Sequence, residues 1–476
     1  MTLPLATTLD RLAGRAGRAF PKGDVRLAIV VLLGAAIAGA GGTSRYDSPT
    51  QSVVRLAAIA ALAASLWPLD LAPLARHARL LVGIALAWLL ISLQLVPMPP
   101  AWWAALPGHD LYAGIAETAG AVGWRPLSLV PDLTVNALFA LLPGTAVVIA
   151  ALFLDMRGRM RLALALAALA TASAVLGLMQ LAAGGLALHL YSASDPDAPV
   201  GLFANPNHHA AFLAALLPAV GASAGLRLRG GARPRLVLGV ALGAALLMLL
   251  ALMLTGSRMG VLLAAIGAGG GIAAFRASGA RLPGRGRRRR LAMLAITLGL
   301  AVAVGGAAIA GGAIGRFAAT DWLSEIRLLT LTPLARTAAA YMPVGAGFGT
   351  FDPVYRRFEP DALLSTIYLN QAHDEPMQLA IEGGVPALAL LALFLLWWAR
   401  TAWRIVRWRA QASRRRALAV AALTATSVLM VSSLVDYPLR TPLAAMVFAL
   451  ACVEMARGAA AADDRQPPQM IISQQP

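Results

Sequence analysis

The stretch LNQAHDEPMQLAIEGG, residues 369–384, places His373, Asp374, Glu375 and Glu382 directly ahead of a long apolar run. An imidazole titrates near neutral pH and suits a general base, and Asp374 or Glu375 is close enough in sequence to orient it. Glu375 and Glu382 are about two helical turns apart, so they share a helix face, and Glu382 would need a partner inside the bundle. Among the histidines expected on this face of the protein, His373 is the one set in a dense polar cluster. Four further stretches carry groups of this kind. In GLFANPNHHAAFL (201–213), Asn205 before Pro206 reads as a helix cap. Asn207, His208 and His209 then fall in a first turn whose free N–H groups favour an anion. The two histidines are adjacent, point about 100° apart on a helix and make a poor metal pair.

In LTGSRMG (254–260), Arg258 carries a planar fork that can hold phosphate oxygens, or it can snorkel to lipid phosphate. The stretch DWLSEIRLLTLTPLARTAAAYMPVGAGFGTF (321–351) sets Arg327 in an apolar helical pattern and adds Arg336. Its Gly-x-Gly-x-Gly reads as a tight turn, since no strand–helix context for a nucleotide loop surrounds it. In SSLVDYPLRTPLA (432–444), Asp436 and Arg440 can pair with each other, or Asp436 can hold an earlier arginine. The pair Asp195 and Asp197 mimics the acids of metal-dependent sugar transfer, but Pro196 and its loop setting make it weak. No acidic cluster has convincing metal spacing, so no metal and no cofactor are expected.

The elements that must position these groups are membrane helices. The chain has 476 residues, 59% hydrophobic and 13% charged, against about 25% charged in soluble proteins. Its apolar residues come in runs long enough to cross about 30 Å of hydrocarbon. About 12 spans are expected, near 26–43, 53–72, 79–97, 132–153, 162–185, 208–226, 236–254, 259–275, 291–315, 376–399, 417–435 and 441–456. The fold class is an all-α polytopic membrane protein. The single cysteine, Cys452, excludes an intramolecular disulfide.

The net charge of +18 would suit nucleic acid, but its distribution argues otherwise. Threaded from an inside N-terminus, 30 of the 40 lysines and arginines fall on alternate connections, as the positive-inside rule requires. Both termini are therefore expected inside, and the arginine run at 285–290 is an orientation signal. Two outside connections are long. Residues 98–131 are rich in Pro and Trp, which suits the membrane interface; residues 316–375 form the largest. The polar tail, 458–476, reads as disordered.

Taken in order, NPNHHAAFL, TGSR, the arginine ahead of PVGAGFGTF, VYRRFEP (354–360), AHDEPMQLAIEGG and VDYPL resemble the O-antigen ligase and polymerase superfamily of bacterial inner-membrane proteins. The resemblance covers roughly residues 200–445. It implies a C-type glycosyltransferase-like membrane fold with a large periplasmic loop between late helices. Residues 1–200 are then N-terminal spans with a cytoplasmic N-terminus, 201–457 the catalytic region with the loop at 316–375, and 458–476 a cytoplasmic tail. The implied reaction moves a glycan, with inversion and without metal, from undecaprenyl pyrophosphate to an acceptor hydroxyl at the periplasmic face. The acceptor is lipid A–core for a ligase and another glycan for a polymerase.

The same resemblance implies His373, Arg258 and Arg327 as catalytic residues. Asn205, Asn207, His208, Arg336, Tyr355 and Glu375 are expected to bind substrate, and Asp374, Glu382 and Asp436 to orient the others. One departure is that His373 is followed by Asp374 where many relatives have asparagine. Membrane lipids are expected partners and nucleic acid is not. A transporter or flippase of lipid-linked glycan is the alternative, but it would place charge near the bilayer midplane. Here the spans before residue 200 are nearly free of charge, and the polar groups gather at one face.

Overall fold

A computed structural model describes residues 22–67, 70–281, 321–364, 369–408 and 412–463, without the side chains of Lys22, residues 321–328 and Asp463. Twelve helices carry the architecture: α1 (Lys22–Ala40), α2 (Thr50–Ser65), α3 (Ala78–Leu93), α4 (Pro131–Leu152), α5 (Met156–Ala183), α6 (Pro206–Arg229), α7 (Pro234–Leu254), α8 (Arg258–Ala277), α9 (Asp321–Tyr341), α10 (Glu375–Arg407), α11 (Arg414–Ser432) and α12 (Pro442–Asp463). A two-residue ladder, β1 (Pro97–Met98) with β2 (Arg125–Pro126), is the sheet among the described residues. The protein is an all-α, multi-pass membrane protein.

Eleven of the expected spans coincide with helices; the twelfth, 291–315, lies outside the described residues. Nine described helices are long and apolar enough to cross a membrane. The expected spans 53–72 and 79–97 form shorter helices, α2 and α3, of 16 residues each, or about 24 Å. Prolines at 97, 99 and 100 stop the third run early, because a proline breaks helical hydrogen bonding. Helix α12 continues to Asp463, so residues 458–463 of the expected tail are helical; the rest of the tail, the arginines at 11, 15 and 18 and the run at 285–290 lie outside the described residues.

Helix α6 is the centre of the bundle, with Phe212, Leu213 and Ala214 fully buried. It packs against α8 through glycines on both partners. A Cβ at Gly221 would lie 2.0 Å from the Gly271 carbonyl oxygen, and one at Gly267 would lie 2.2 Å from that of Ala214. Small residues let the two backbones approach closely, and in a membrane this packing replaces the hydrophobic drive.

The helices leave two polar ends. At one, Arg161 pairs with Asp24 at 2.6 Å, Arg159 donates to Glu454 at 2.8 Å, and Arg457 donates to the carbonyls of Ala151 and Leu152. Arg229 there donates to the carbonyls of Ser278 and Ala412 at 2.8 and 2.9 Å. At the other, the α1 exit, the α6 start and the α12 start meet: Leu443 N–H donates to Gly41, Ala204 N–H to Gly42, and Gly42 N–H to the Tyr191 hydroxyl.

Candidate active site at the histidine and carboxylate end

Asn205 caps α6 as expected, its Oδ1 accepting from Asn207 N–H at 2.8 Å, with Pro206 in the first turn. This fixes the directions of the next two side chains. His209 turns inward and its Nδ1 lies 2.8 Å from the Pro199 carbonyl oxygen. His208 turns toward the α11–α12 connection, where its Nε2 lies 3.3 Å from Asp436 Oδ1. Three or more possible ligands do not gather at a metal-like spacing anywhere among the described residues.

His373 reaches the same carboxylate from a third segment, with Nδ1 3.6 Å from Asp436 Oδ1. Tyr437 stands edge-on to both imidazoles, its ring centroid 5.0 Å from His208 and 4.8 Å from His373. The accessibilities of the two histidines differ: the His208 side chain is 2% exposed and that of His373 is 25%. Burial alone would raise the pKa of Asp436, but the two imidazoles outweigh it and hold the carboxyl below the usual range. Asp436 Oδ2 is buried without a partner, an arrangement that costs about 1–3 kcal/mol per orphaned group.

The backbone at His373 has φ 53°, a left-handed conformation uncommon outside glycine. It is pinned from both sides. Ala372 N–H donates to Gln378 Oε1 at 2.9 Å, and Asp374 Oδ1 accepts from Met377 N–H at 2.9 Å as the cap of α10. Asp374 therefore caps a helix and does not hold the imidazole. Glu375 does not hold it either: Arg440 donates to Glu375 Oε1 at 2.8 Å and Oε2 at 3.1 Å, and reaches Glu382 Oε2 at 3.5 Å. Burial works against the Arg440 cation, and Glu375 and Glu382 more than offset it, so its pKa is raised. The expected Asp436–Arg440 pair is thus replaced by Asp436 with two histidines and Arg440 with two glutamates. His373 also shares its cluster with His208 rather than standing alone. Glu382, buried as expected, has Arg440 and Gln378 as partners.

The glycine turn supports this corner from below. Pro386 has no N–H to give to Glu382 four residues earlier, and Gly384 breaks α10 at φ 57°. Val385 N–H is diverted to the Pro343 carbonyl, which frees the carbonyl of Ile381. Ala346 and Gly347 N–H take the freed oxygens of Ile381 and Glu382, at 2.9 Å each. Gln94 adds a second bond to Glu382 O at 3.0 Å and accepts from Phe348 N–H at 2.9 Å. Gln94, Gln378 and Tyr437 were absent from the sequence-based candidates. Each is a lone amide or phenol at the edge of an apolar run, a weaker signal than an ionisable group inside a span.

Arg258 is exposed at the first position of α8, after the cap Ser257. Two residues on, a Cβ at Gly260 would lie 3.2 Å from the Cβ of Ala210, itself two residues beyond His208. The close packing of α6 and α8 therefore sets Arg258 at the end of the bundle that holds the histidines. Residues 243–392 match the family model described as O-antigen ligase. The matched segment runs from within α7 into α10 and contains Arg258, the glycine turn, His373 and Glu382. His208 lies before it and Asp436 after it, so the fold completes the cluster from outside the matched segment. No curated protein matches the chain.

The remaining candidates lie elsewhere. Arg327 belongs to α9, with its side chain outside the described residues, and Arg336 is exposed on the same helix. Tyr355 is buried in a small core beside α9 and α10, stacked on Phe351 at 5.3 Å. Burial, with a contribution from Glu359, pushes its hydroxyl up to about 12. Asn207 is half-buried beside His208. The short helices between α3 and α4 leave Trp102 and Trp124 exposed, as an interfacial segment would.

Proposed function

We propose that the protein transfers a glycan from undecaprenyl pyrophosphate to an acceptor hydroxyl, as an O-antigen ligase or a related polymerase, at the periplasmic face of the inner membrane. The observation that carries the mechanism is the pair of imidazoles on one buried carboxylate, of which His373 alone is substantially exposed. His373 takes the proton of the acceptor hydroxyl as its oxygen attacks the anomeric carbon. The bond from that carbon to the pyrophosphate oxygen breaks, and inversion follows from attack opposite the leaving group. Asp436, 3.6 Å from the His373 ring, stabilises the positive charge that the imidazole acquires. His208 fixes Asp436 from its other side.

Arg258 and Arg327 stabilise the charge growing on the departing pyrophosphate, which needs no metal. Arg336, Asn205 and Asn207 bind polar parts of the substrate. Glu375, Glu382 and Arg440 brace the turn that presents His373. Both termini face the cytoplasm in this reading, as the arginine-rich end requires. The test is transfer by the purified protein from synthetic undecaprenyl-pyrophosphate oligosaccharide to lipid A–core or to a second lipid-linked glycan, with excess EDTA present. Donor binding without transfer to either acceptor would favour a transporter.

A further inference from the structure

The arginine-rich end contains a second site, unrelated to the transfer chemistry. A cavity of about 70 Å³ opens between α4, α5, α6, α11 and α12, room for roughly five water-sized groups. Its walls are aliphatic: Ala151, Leu166, Ala215, Ala422 and Leu450 are among them, and Arg159 and Glu454 are the charged groups on its lining. Water inside would find hydrogen-bond partners on one side alone, so the space suits hydrocarbon. It holds a stretch of alkyl chain, not a whole lipid tail.

The surroundings of the charged lining are basic. Glu454 accepts from Arg159 and also pairs with Arg457 at 3.4 Å. Arg76 adds a third basic group next to His77, its Nε donating to the Ala72 carbonyl at 3.1 Å, and with Arg457 and Arg159 it helps burial hold that imidazole below the usual range, against Glu454. One carboxylate thus serves two guanidinium groups, and a third, that of Arg76, is close by. A ligand that satisfies both parts must join an anion to an alkyl chain. Free phosphate answers the charge alone, and a zwitterionic lipid fills the cavity but brings a cation that cancels its phosphate.

We propose that this cavity and the Arg76, Arg159 and Arg457 group bind an anionic phospholipid, with its phosphate among the arginines and part of one acyl chain between the helices. Basic pockets between membrane helices recognise anionic headgroups in this way. Each uncompensated basic group near a membrane surface strengthens such binding about fivefold, so two give about 30-fold over a zwitterionic lipid.

The test uses the full chain purified in detergent, with bound lipid counted by native mass spectrometry and the thermal unfolding midpoint followed in parallel. The probes are phosphatidylglycerol, phosphatidylcholine with the same tails, and inorganic phosphate. Phosphatidylglycerol should bind about 30-fold more tightly than phosphatidylcholine and raise the midpoint, while phosphate alone leaves it unmoved. Arg76→Gln, at an exposed position, should weaken phosphatidylglycerol about fivefold. Ala422→Leu should fill the cavity and remove most of the binding; Ala451→Leu fills it from α12 and serves if the first variant fails to fold. Equal binding of the two lipids, full stabilisation by phosphate alone, or unchanged phosphatidylglycerol binding in a folded filling variant would each overturn the proposal.

Discussion

The two polar ends of the bundle use the same kinds of side chain to opposite effect. At the arginine-rich end, Arg229 and Arg457 donate to backbone carbonyls at the exits of helices, and Arg159 is matched by Glu454. These are contacts that close helix ends and satisfy groups that would otherwise be orphaned. At the other end Asp436 Oδ2 and His373 Nδ1 are buried without hydrogen-bond partners, and His373 sits at φ 53°. Strain and unsatisfied polarity that the surroundings hold in place are the usual marks of a site kept ready for a reaction. The contrast separates side chains matched at helix ends from a strained cluster in which polar groups are left unmatched.

The sharpest way to break the contrast is at His373. His373→Gln should lower the transfer rate about 10²–10⁴-fold while donor binding and the folded fraction remain. The wild-type rate should fall on acidification, because a protonated imidazole cannot accept the acceptor's proton. A variant with near-normal rate and the same acid limb would shift the base to another group, His208 being next in the cluster. Arg258→Ala should cost about 10²–10³-fold, as loss of a donor to developing negative charge does. Arg258→Lys should recover part of that, since a point charge lacks the fork. Full activity in both variants would remove Arg258 from the working set.

A third test probes the segment between α3 and α4, where His109 is buried and both ring nitrogens lack partners. Burial lowers its pKa from 6.5 to about 4. Between those values the unfolded chain binds the proton and the native one does not, so stability is retained above pH 6.5 and falls as pH drops toward 4. The loss is on the order of 3 kcal/mol. His109→Phe should flatten that part of the stability profile, and an unchanged slope would assign the acid loss elsewhere.

Much of this was legible in the sequence. Long apolar runs gave the helices because composition alone decides membrane insertion. The Asn205 cap and the glycine turn were legible for the same reason: each is decided by residues within four or five positions of itself. The partnerships were not. Asp436 joins His208 and His373 across 228 and 63 residues, and Arg440 meets Glu375 across 65. Local spacing offered Asp374 or Glu375 for the imidazole and Arg440 for Asp436, and these pairings lost to helix packing. Gln94 was invisible for a related reason. It matters because Pro386, far along the chain, leaves the Glu382 carbonyl without a helical donor.

Asp436→Asn should have a smaller effect than either loss above. The amide keeps an acceptor for Tyr437 N–H, now 2.8 Å from Asp436 Oδ1, and keeps the rings in place. It no longer supplies the negative charge that favours the imidazolium. At 3.6 Å the contact is an attraction between charges rather than a hydrogen bond, worth about 1 kcal/mol with one partner open to solvent, so the rate should fall about fivefold. The acid limb should also move, which a purely structural role would not produce. An unchanged pH profile would leave Asp436 as a packing residue.

The smallest expected effect tests the other half of the comparison. Arg229 is exposed, and its Nη1 donates to two carbonyls, those of Ser278 at the end of α8 and Ala412 ahead of α11. Arg229→Gln removes one or both of these bonds from a site that water can reach. The stability loss should therefore be about 1 kcal/mol, the net worth of such bonds, rather than the larger cost of an orphaned buried group. The transfer rate per folded molecule should be unchanged, because α6 and α8 hold each other through the Gly221 and Gly267 contacts well inside the bundle. Thermal unfolding and the transfer assay on the same preparation separate the two quantities. A rate loss larger than the loss of folded protein would show that the ends are coupled through α6, and that the arginine-rich end also serves the transfer reaction.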